Sequence, residues 1–344
     1  MRWNIGILGL THDHVWTHIR ELRDRGDTHV IIAEPNQTLL NKARDEYAID
    51  DLFPDYAEML EQATPDAVLI FTDNAGTASL VELAAAHDTP IMTEKPMADS
   101  LVNAERMLRA TERAGVPLMV NWPTWWNPSI RHLVTLAQNG DIGEIVRFTF
   151  RGGHGGPREL GCSDEFCDWL FDPQRNGGGA YIDYCGYGAS LARLLLGLPS
   201  HAHAFIDRLV KTTISVDDNA VLTLRYPAAL AVIEATWTAA GPIPDAGPSI
   251  AGTQGSLVVS GPTSAHPRTL RQTSRRNPNG RVIEPPTLSH GNRNATEYFL
   301  ACLRDDRPIV GQVSAVISRD AQEILEAGLR SSRSMTTVPL PIDT

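Results

Sequence analysis

A chain of 344 residues, 42% hydrophobic and 21% charged, holds material for two domains of ordinary size with real cores. Its formal net charge of −11 argues against a nucleic-acid partner, which needs clustered Lys and Arg. No apolar run approaches the roughly 20 residues that cross a bilayer, and the N-terminus enters a strand with no basic-then-apolar leader pattern. A cytoplasmic protein without membrane contact is therefore expected. The four cysteines, Cys162, Cys167, Cys185 and Cys302, fit no common zinc spacing and read as reduced thiols.

Up to residue 121 the pattern alternates strand and helix. "NIGILGL" is a buried strand, and Val15, Trp16, Ile19 and Leu22 have helical spacing that stops at Gly26. "HVIIAEPN" is a strand, "TLLNKARDEYAI" and "YAEMLEQA" are helices, and "DAVLIFTDN" is a strand. "ASLVELAAAHD", "PIMTEK", "LVNAERMLRATERAG" and "VPLMVNW" continue as helix, strand, helix and strand. Such alternation predicts a doubly wound parallel sheet over 1–121, a Rossmann-type dinucleotide-binding domain. The rhythm then changes. "SIRHLVTLAQNG" reads as a helix, "GEIVRFTFRG" as a strand, 152–179 as a Gly-rich irregular stretch, and "YIDYCGYGASLARLLLG" as a helix. Strands are expected at 202–209, 217–226, 229–238 and 255–259, with turns at Pro227 and 241–248. "HPRTLRQTSRRNPNGRVIEPP" reads as a basic, aperiodic loop, and helices near 293–304 and 313–330 close the chain. The expectation for 122–344 is an α+β domain with a largely antiparallel open sheet that binds substrate and mediates oligomerisation.

The loop "GILGLTHDHVWTHI" is the first place with chemistry. A dinucleotide loop uses three glycines for a tight turn, for approach to the pyrophosphate and for helix–strand packing. Here only Gly9 stands in that pattern, with Thr11 and His14 at the other two positions. The loop still leads a strand into a helix N-terminus, which attracts anions. Glu34 ends the second strand 25 residues after Gly9, where an acid accepts hydrogen bonds from the adenosine ribose and repels a 2′-phosphate. NAD is thus expected over NADP. Thr11 and His12 are read as lining the phosphate or nicotinamide pocket, His14 as packing the turn and His18 as a helix-surface residue. His14 and His18, four apart, have metal-ligand spacing, but no glutamate follows His14 as in zinc proteases and a metal would sit where the dinucleotide belongs; no metal is expected.

"TEKPMADS" at 93–100 resembles a motif of the Gfo/Idh/MocA family, the glucose–fructose oxidoreductase and inositol dehydrogenase group. "LFPDYAEMLEQATPDAVLI", "NPSIRHLVTLAQNGDIGEI", "GGGAYIDYCGYGASLARLLLG", "IAGTQGSLVV" and "SSRSMTTVPLP" resemble further stretches of that family, in order along nearly the whole chain. The resemblance implies that Lys95, Asp183 and Tyr187 surround the substrate and the nicotinamide as the catalytic group. Tyr187 stands where many members have histidine, Cys185 where they usually have glycine. The expected cofactor-binding set is Gly9, Thr11, His12, Glu34, Thr72, Asn74, Glu94, Lys95, Pro96 and Asn121. The resemblance also implies a homodimer or homotetramer.

Oxidising an alcohol needs a group that takes the hydroxyl proton as hydride departs. Asp183 and Tyr187, four apart, are expected on one helix face. A lysine cation about 4 Å from Tyr187, at an effective dielectric of about 20, would favour phenolate by about 4 kcal/mol, or ~3 pKa units, before burial and Asp183 oppose it. That assigns proton transfer to Tyr187 and the substrate-oxygen contact to Lys95, although the two roles could be exchanged. Trp122, Trp125 and Trp126 are candidates for stacking on a sugar ring, with a hydrophobic hinge as the alternative. His154 and Arg158 are candidates for the substrate wall. The resulting expectation is an NAD-dependent oxidoreductase acting on a sugar, polyol or related cyclic alcohol or ketone. A glycosidase working by transient oxidation and elimination on tightly held NAD, and a non-catalytic ligand sensor, are the alternatives.

Overall fold

The computed structural model describes residues 2–243, 245–261 and 267–342. The first sheet is built from β1 (Trp3–Leu8), β2 (Thr28–Ala33), β3 (Leu52–Phe53), β4 (Ala67–Ile70), β5 (Ile91–Glu94) and β6 (Leu118–Asn121). All pairs are parallel, in the order β3-β2-β1-β4-β5-β6, the arrangement of the classic dinucleotide-binding sheet. Between them run α1 (Val15–Arg25), α2 (Gln37–Tyr47), α3 (Tyr56–Ala63), α4 (Asn74–Ala86) and α5 (Leu101–Ala114). Ile5, Ile7 and Leu8 are fully or almost fully buried, as a parallel strand covered on both faces requires. Asn36, Asp55, Asp73 and Ser100 cap α2 to α5 with side-chain oxygens that accept amide hydrogens of the first turn, each cap worth about 1 kcal/mol. The short edge strand β3 has no alternation to announce it in the sequence.

The chain then passes through a 3₁₀ turn, Pro123–Trp126, into α6 (Pro128–Gln138) and β7 (Ile145–Gly153). Within the stretch expected to be irregular, two short helices form, α7 (Asp164–Leu170) and α8 (Pro173–Asn176), capped by Ser163 and Asp172. The helix expected next begins as a π-helical turn, Tyr181–Cys185, before α9 (Gly186–Leu196). The strands β8 (His201–Asp207), β9 (Asn219–Arg225), β10 (Leu230–Thr236), β11 (Gly247–Gly252), β12 (Gly255–Ser260), β13 (Thr269–Ser274) and β14 (Asn277–Ile283) follow, then α10 (Ala295–Arg304), α11 (Ala315–Ser334) and β15 (Val338–Pro339).

The second sheet runs β14-β13-β12-β11-β7-β10-β9-β8-β15 and is antiparallel except between β7 and β10. Its inner face, with Phe148, Phe150, Leu222, Leu224 and Ile233, is buried, while Phe205, Val221 and Leu230 on the other face are exposed. The segment expected to be a basic loop is instead the hairpin β13–β14; its first residue, His266, lies outside the described residues. The hairpin extends the sheet beyond the core, so Leu270 is its one fully buried side chain and no two-residue alternation is visible in the sequence. Likewise β11 overlaps the stretch read as a turn, because Pro248 and two glycines mask its pattern.

Candidate active site

The loop after β1 is held tightly. Gly9 has φ +89°, and a Cβ there would lie 2.9 Å from the Phe71 carbonyl oxygen at the end of β4; only glycine fits this approach. Leu10 N–H donates to Glu34 Oε2 at 2.7 Å, and Asn36 N–H donates to Glu34 Oε1 at 2.8 Å. Glu34 is thus tied to the loop at the end of β2; burial raises its carboxyl pKa and the two backbone donors oppose that rise. The hydroxyl of Thr11 is buried without a partner, and among the described residues the amides of Thr11 and Asp13 make no hydrogen bond. Those are the groups that a phosphate at a helix N-terminus uses, so the loop fits a dinucleotide despite its two missing glycines.

The second domain covers this loop. Asp13 accepts from both the amide and the hydroxyl of Ser163, at 2.7 and 2.6 Å, and the Trp169 indole donates to the Thr11 carbonyl at 3.1 Å. The His12 ring is buried against Phe166, Trp169 and His14. Burial, then the neighbouring His14, pushes its pKa well down, so it stays neutral. Asn74 reaches across to Asn176, and Arg175 pairs with Asp73, so the end of β4 is also engaged by α8.

Glu94 lies at the centre of a buried polar network. His14 Nδ1 sits 3.1 Å from Oε2 and His18 Nε2 3.3 Å from Oε1, and the Asn121 amide donates to Oε1. Trp126 Nε1 donates to Asn121 Oδ1 at 2.8 Å. Burial would raise the Glu94 pKa, but His14 by charge and hydrogen bond, with His18, holds it well below the usual carboxylate value. Two expectations change here. His14 pairs with Glu94 rather than merely packing the turn, and His18 is not on the surface: it is buried, with Nδ1 3.0 Å from the Thr296 hydroxyl. His12, His14 and Glu94 offer ligand atoms within 4.8 Å of one another, close enough for a shared cation. However, His12 Nδ1 accepts the His14 amide, which leaves the neutral ring's proton on Nε2, and both Glu94 oxygens already have partners.

Lys95 and Asp183 form a buried ion pair, Nζ to Oδ1, across the domain boundary. Trp237, just after β10, donates from Nε1 to the other carboxylate oxygen at 3.0 Å. Burial alone would lower the Lys95 pKa, but the charge and hydrogen bond of Asp183 outweigh it and the net shift is upward. Burial alone would raise Asp183, but Lys95, His154 and the Trp237 indole hold it below its usual value. The pair is therefore charged on both sides at neutral pH.

Tyr187 is brought to the same place, with its ring rather than its hydroxyl toward the ammonium. Lys95 Nζ lies 5.1 Å above the centre of its ring, a cation–π contact, while the ammonium hydrogen bond goes to Asp183. Burial first, then Asp183 and Glu94, push the phenol pKa well above 10, so it stays protonated. The reason is positional: the π turn places Asp183, not the phenol oxygen, on the ammonium. His154 stacks on Trp237 and accepts the Gly156 amide on Nδ1 at 2.9 Å. Burial lowers its pKa, leaving a neutral ring with its proton on Nε2.

The other candidates are held by protein groups around this centre. Trp122 is buried, donates to Ser318 and packs edge-on against Tyr187; Trp125 and Trp126 stack on Arg131. All three rings are engaged by protein groups where the first domain passes into the second. Arg158 pairs with Asp164 at the surface, 2.9 Å away. Trp237 and Tyr184, whose ring lies 5.8 Å from that of Tyr187, were not among the expected residues. Tyr184 lies inside a recognised motif, whereas nothing local marks Trp237.

A parallel sheet in the order 3-2-1-4-5-6, meeting a buried lysine–carboxylate pair supplied with a second sheet domain, defines a two-domain protein of the dinucleotide-binding type. The chain belongs to the Gfo/Idh/MocA family: the oxidoreductase family's NAD-binding Rossmann fold matches residues 3–122 and the GFO/IDH/MocA C-terminal domain matches residues 130–258. It is 31% identical to a D-apiose dehydrogenase of Rhizobium rhizogenes over 150 residues, which are 43% of this chain and 42% of that protein. It is 30% identical to an NADP-dependent D-xylose 1-dehydrogenase of Haloarcula marismortui over 181 residues, 50% of this chain and 49% of that protein. The matched stretch thus spans less than half the length of these two relatives. The fold is shared with the crystal structure of an oxidoreductase from Agrobacterium radiobacter in complex with NAD+, L-tartaric acid and magnesium (TM-score 0.78, 24% identity, 98% of each chain).

Proposed function

We propose that this protein is an NAD-dependent oxidoreductase acting on a hydroxyl or ketone of a carbohydrate-like substrate. The observation that carries the reading is the charged Lys95–Asp183 pair, buried beside the mouth of the dinucleotide loop with Trp237 fixing the second carboxylate oxygen. The dinucleotide would be held by Gly9, Thr11, His12 and Glu34, with Thr72, Asn74, Glu94, Pro96 and Asn121 along the strand ends. When bound, its nicotinamide supplies or accepts the hydride. The work of this chain is with the proton. In reduction Lys95 gives a proton to the substrate oxygen; in oxidation the ammonium first releases its proton to solvent, and the uncharged amine then takes the hydroxyl proton. Asp183 aims the ammonium and keeps it charged at rest. Tyr187 and His154, both neutral and protonated on the available atom, serve as hydrogen-bond donors to substrate oxygens.

Glu34 supports NAD over NADP, because a carboxylate at the end of β2 repels a 2′-phosphate. The exposed apolar residues Phe205, Val221 and Leu230 support association through the open sheet face, as a homodimer or homotetramer. The deciding experiment is calorimetric titration with NAD, NADH, NADP and NADPH, followed by turnover on pentoses, hexoses and inositols with wild type and Lys95→Met. Tight NAD(H) binding, and turnover lowered at least a hundredfold in the variant with cofactor affinity kept, is expected. Absence of dinucleotide binding, or full turnover by Lys95→Met, would overturn the reading.

A further inference from the structure

A cavity of about 220 Å³ opens beside Tyr187 and Tyr184, between the start of α6 and strands β7 and β11. Thr124, Asn127, Gly247 and Arg268 complete its walls. Arg268 is 5% exposed. Among the described residues its Nη2 donates to the carbonyls of Ala246 and Gly261, and its Nε is buried with no partner. No carboxylate of the described residues pairs with it. A buried guanidinium is ordinarily matched by a carboxylate, because an unpaired buried charge is costly; burial alone acts on Arg268 and lowers its pKa, with no acid to offset it. The arginine is nevertheless seated by design of the backbone. Gly247 has φ +114°, and a Cβ there would fall 2.7 Å from Nη1, so glycine leaves the guanidinium its place. The neighbouring cation, Arg151, is already paired with Glu234 and does not supply an anion.

The same cavity shares Tyr187 with the Lys95–Asp183 centre. A ligand filling it lies along Tyr187, the ring that carries the Lys95 ammonium, and meets in Arg268 a cation that lacks a counter-charge among the described residues. We propose that the substrate of this site carries a carboxylate that Arg268 receives, which makes it a sugar acid or a related polyhydroxy acid rather than a neutral sugar. The inference rests on the proposed oxidoreductase reading for the reacting end of the ligand, whereas recognition of the anion stands on Arg268 alone. Nη2 is committed to its two carbonyls and Nε is shut off from the cavity, so the donor left for the carboxylate is Nη1, which has no hydrogen-bond partner among the described residues.

The test is calorimetric titration of the full chain, with and without saturating NADH, using D-gluconate and D-glucuronate against D-glucitol and D-glucose. The acids should bind at least tenfold more tightly than their neutral counterparts, with the preference weakening as salt is raised. Arg268→Met should lose the preference while its NADH titration stays as in wild type, and Arg268→Lys, which restores a charge at a different reach, should keep part of it. Circular dichroism and melting of both variants separate loss of binding from loss of folding, and the lysine variant carries the test if the methionine variant does not fold. Equal binding of acids and neutral compounds, no binding of either acid, or an unchanged preference in Arg268→Met overturns the proposal. If NADH fails to bind while the acids do, the oxidoreductase reading falls and the anion site stands.

Discussion

Replacing Asp183 by asparagine removes the partner of a buried ammonium without changing the shape of the site. The Lys95 and Asp183 side chains are only 9% and 13% exposed, so solvent does little to replace the lost charge. Breaking a buried pair in this way costs about 3 kcal/mol or more, which for a cooperative unit of 150–250 residues lowers Tm by roughly 6–12 °C. The cost has a sign in pH. In the wild type the Lys95 pKa is raised, so its stabilisation is complete below the unfolded value of about 10.4 and fades as pH rises through the folded value. In Asp183→Asn burial dominates and the folded pKa falls below 10.4. The variant's stability then increases with pH across the interval between its folded pKa and about 10.4. Melting followed by differential scanning fluorimetry from pH 6 to 10 should show a gap of several degrees at neutrality that narrows toward pH 10. A gap that is absent, constant or widening toward pH 10 would refute the account of the pair, because it would mean that Lys95 does not depend on Asp183 for its charge.

Three further outcomes are expected. Gly9→Ala forces a Cβ against the Phe71 carbonyl at a positive φ; it should cost about 1–3 kcal/mol in denaturant unfolding and weaken dinucleotide titration, and an unaltered variant would contradict the tight loop. Trp237→Phe removes the indole donor to Asp183. A hydrogen bond to a charged group contributes about 1.5–3 kcal/mol, so kcat/KM should fall roughly ten- to a hundredfold at near-constant cofactor affinity. Asp217, which accepts the amides of Gly179 and Tyr181 at the start of the π turn, has a pKa pushed up to about 6 by burial. A carboxyl raised in the folded state stabilises below its unfolded value of about 3.9 and loses that contribution as pH rises through 6. Asp217→Asn should therefore gain about 2 kcal/mol relative to wild type between pH 4 and 7 in urea unfolding, and parallel pH profiles would dismiss the effect.

The regular elements of the first domain were written locally. "NIGIL", "VIIA" and "AVLI" have the unbroken apolar runs of parallel strands, and capping residues such as Asn36, Asp55 and Ser100 stand just before their helices, so each signal lies within a few residues of the element it specifies. Gly9 and Glu34 were legible for the same reason: a tight turn and a strand-end acid have fixed spacings within one βαβ unit. Lys95, Asp183 and Tyr187 were reached through their motifs, and the fold brings all three together. The hairpin β13–β14 escaped because its cross-strand pairing is visible only once a partner is alongside. What each site residue does was a question of three-dimensional surroundings. Asp183 rather than the Tyr187 hydroxyl faces the lysine, and Trp237, 54 residues further on, holds that carboxylate. His18 meets Thr296 across 278 residues, and Arg268 is left without an acid among the described residues. Local propensity and pattern act through the neighbouring few residues, so sequence by itself determined the strands, helices and motif positions. Burial and charge pairing depend on groups brought in from distant parts of the chain, so only the tertiary structure decided which side chains are ionised and which atoms they face.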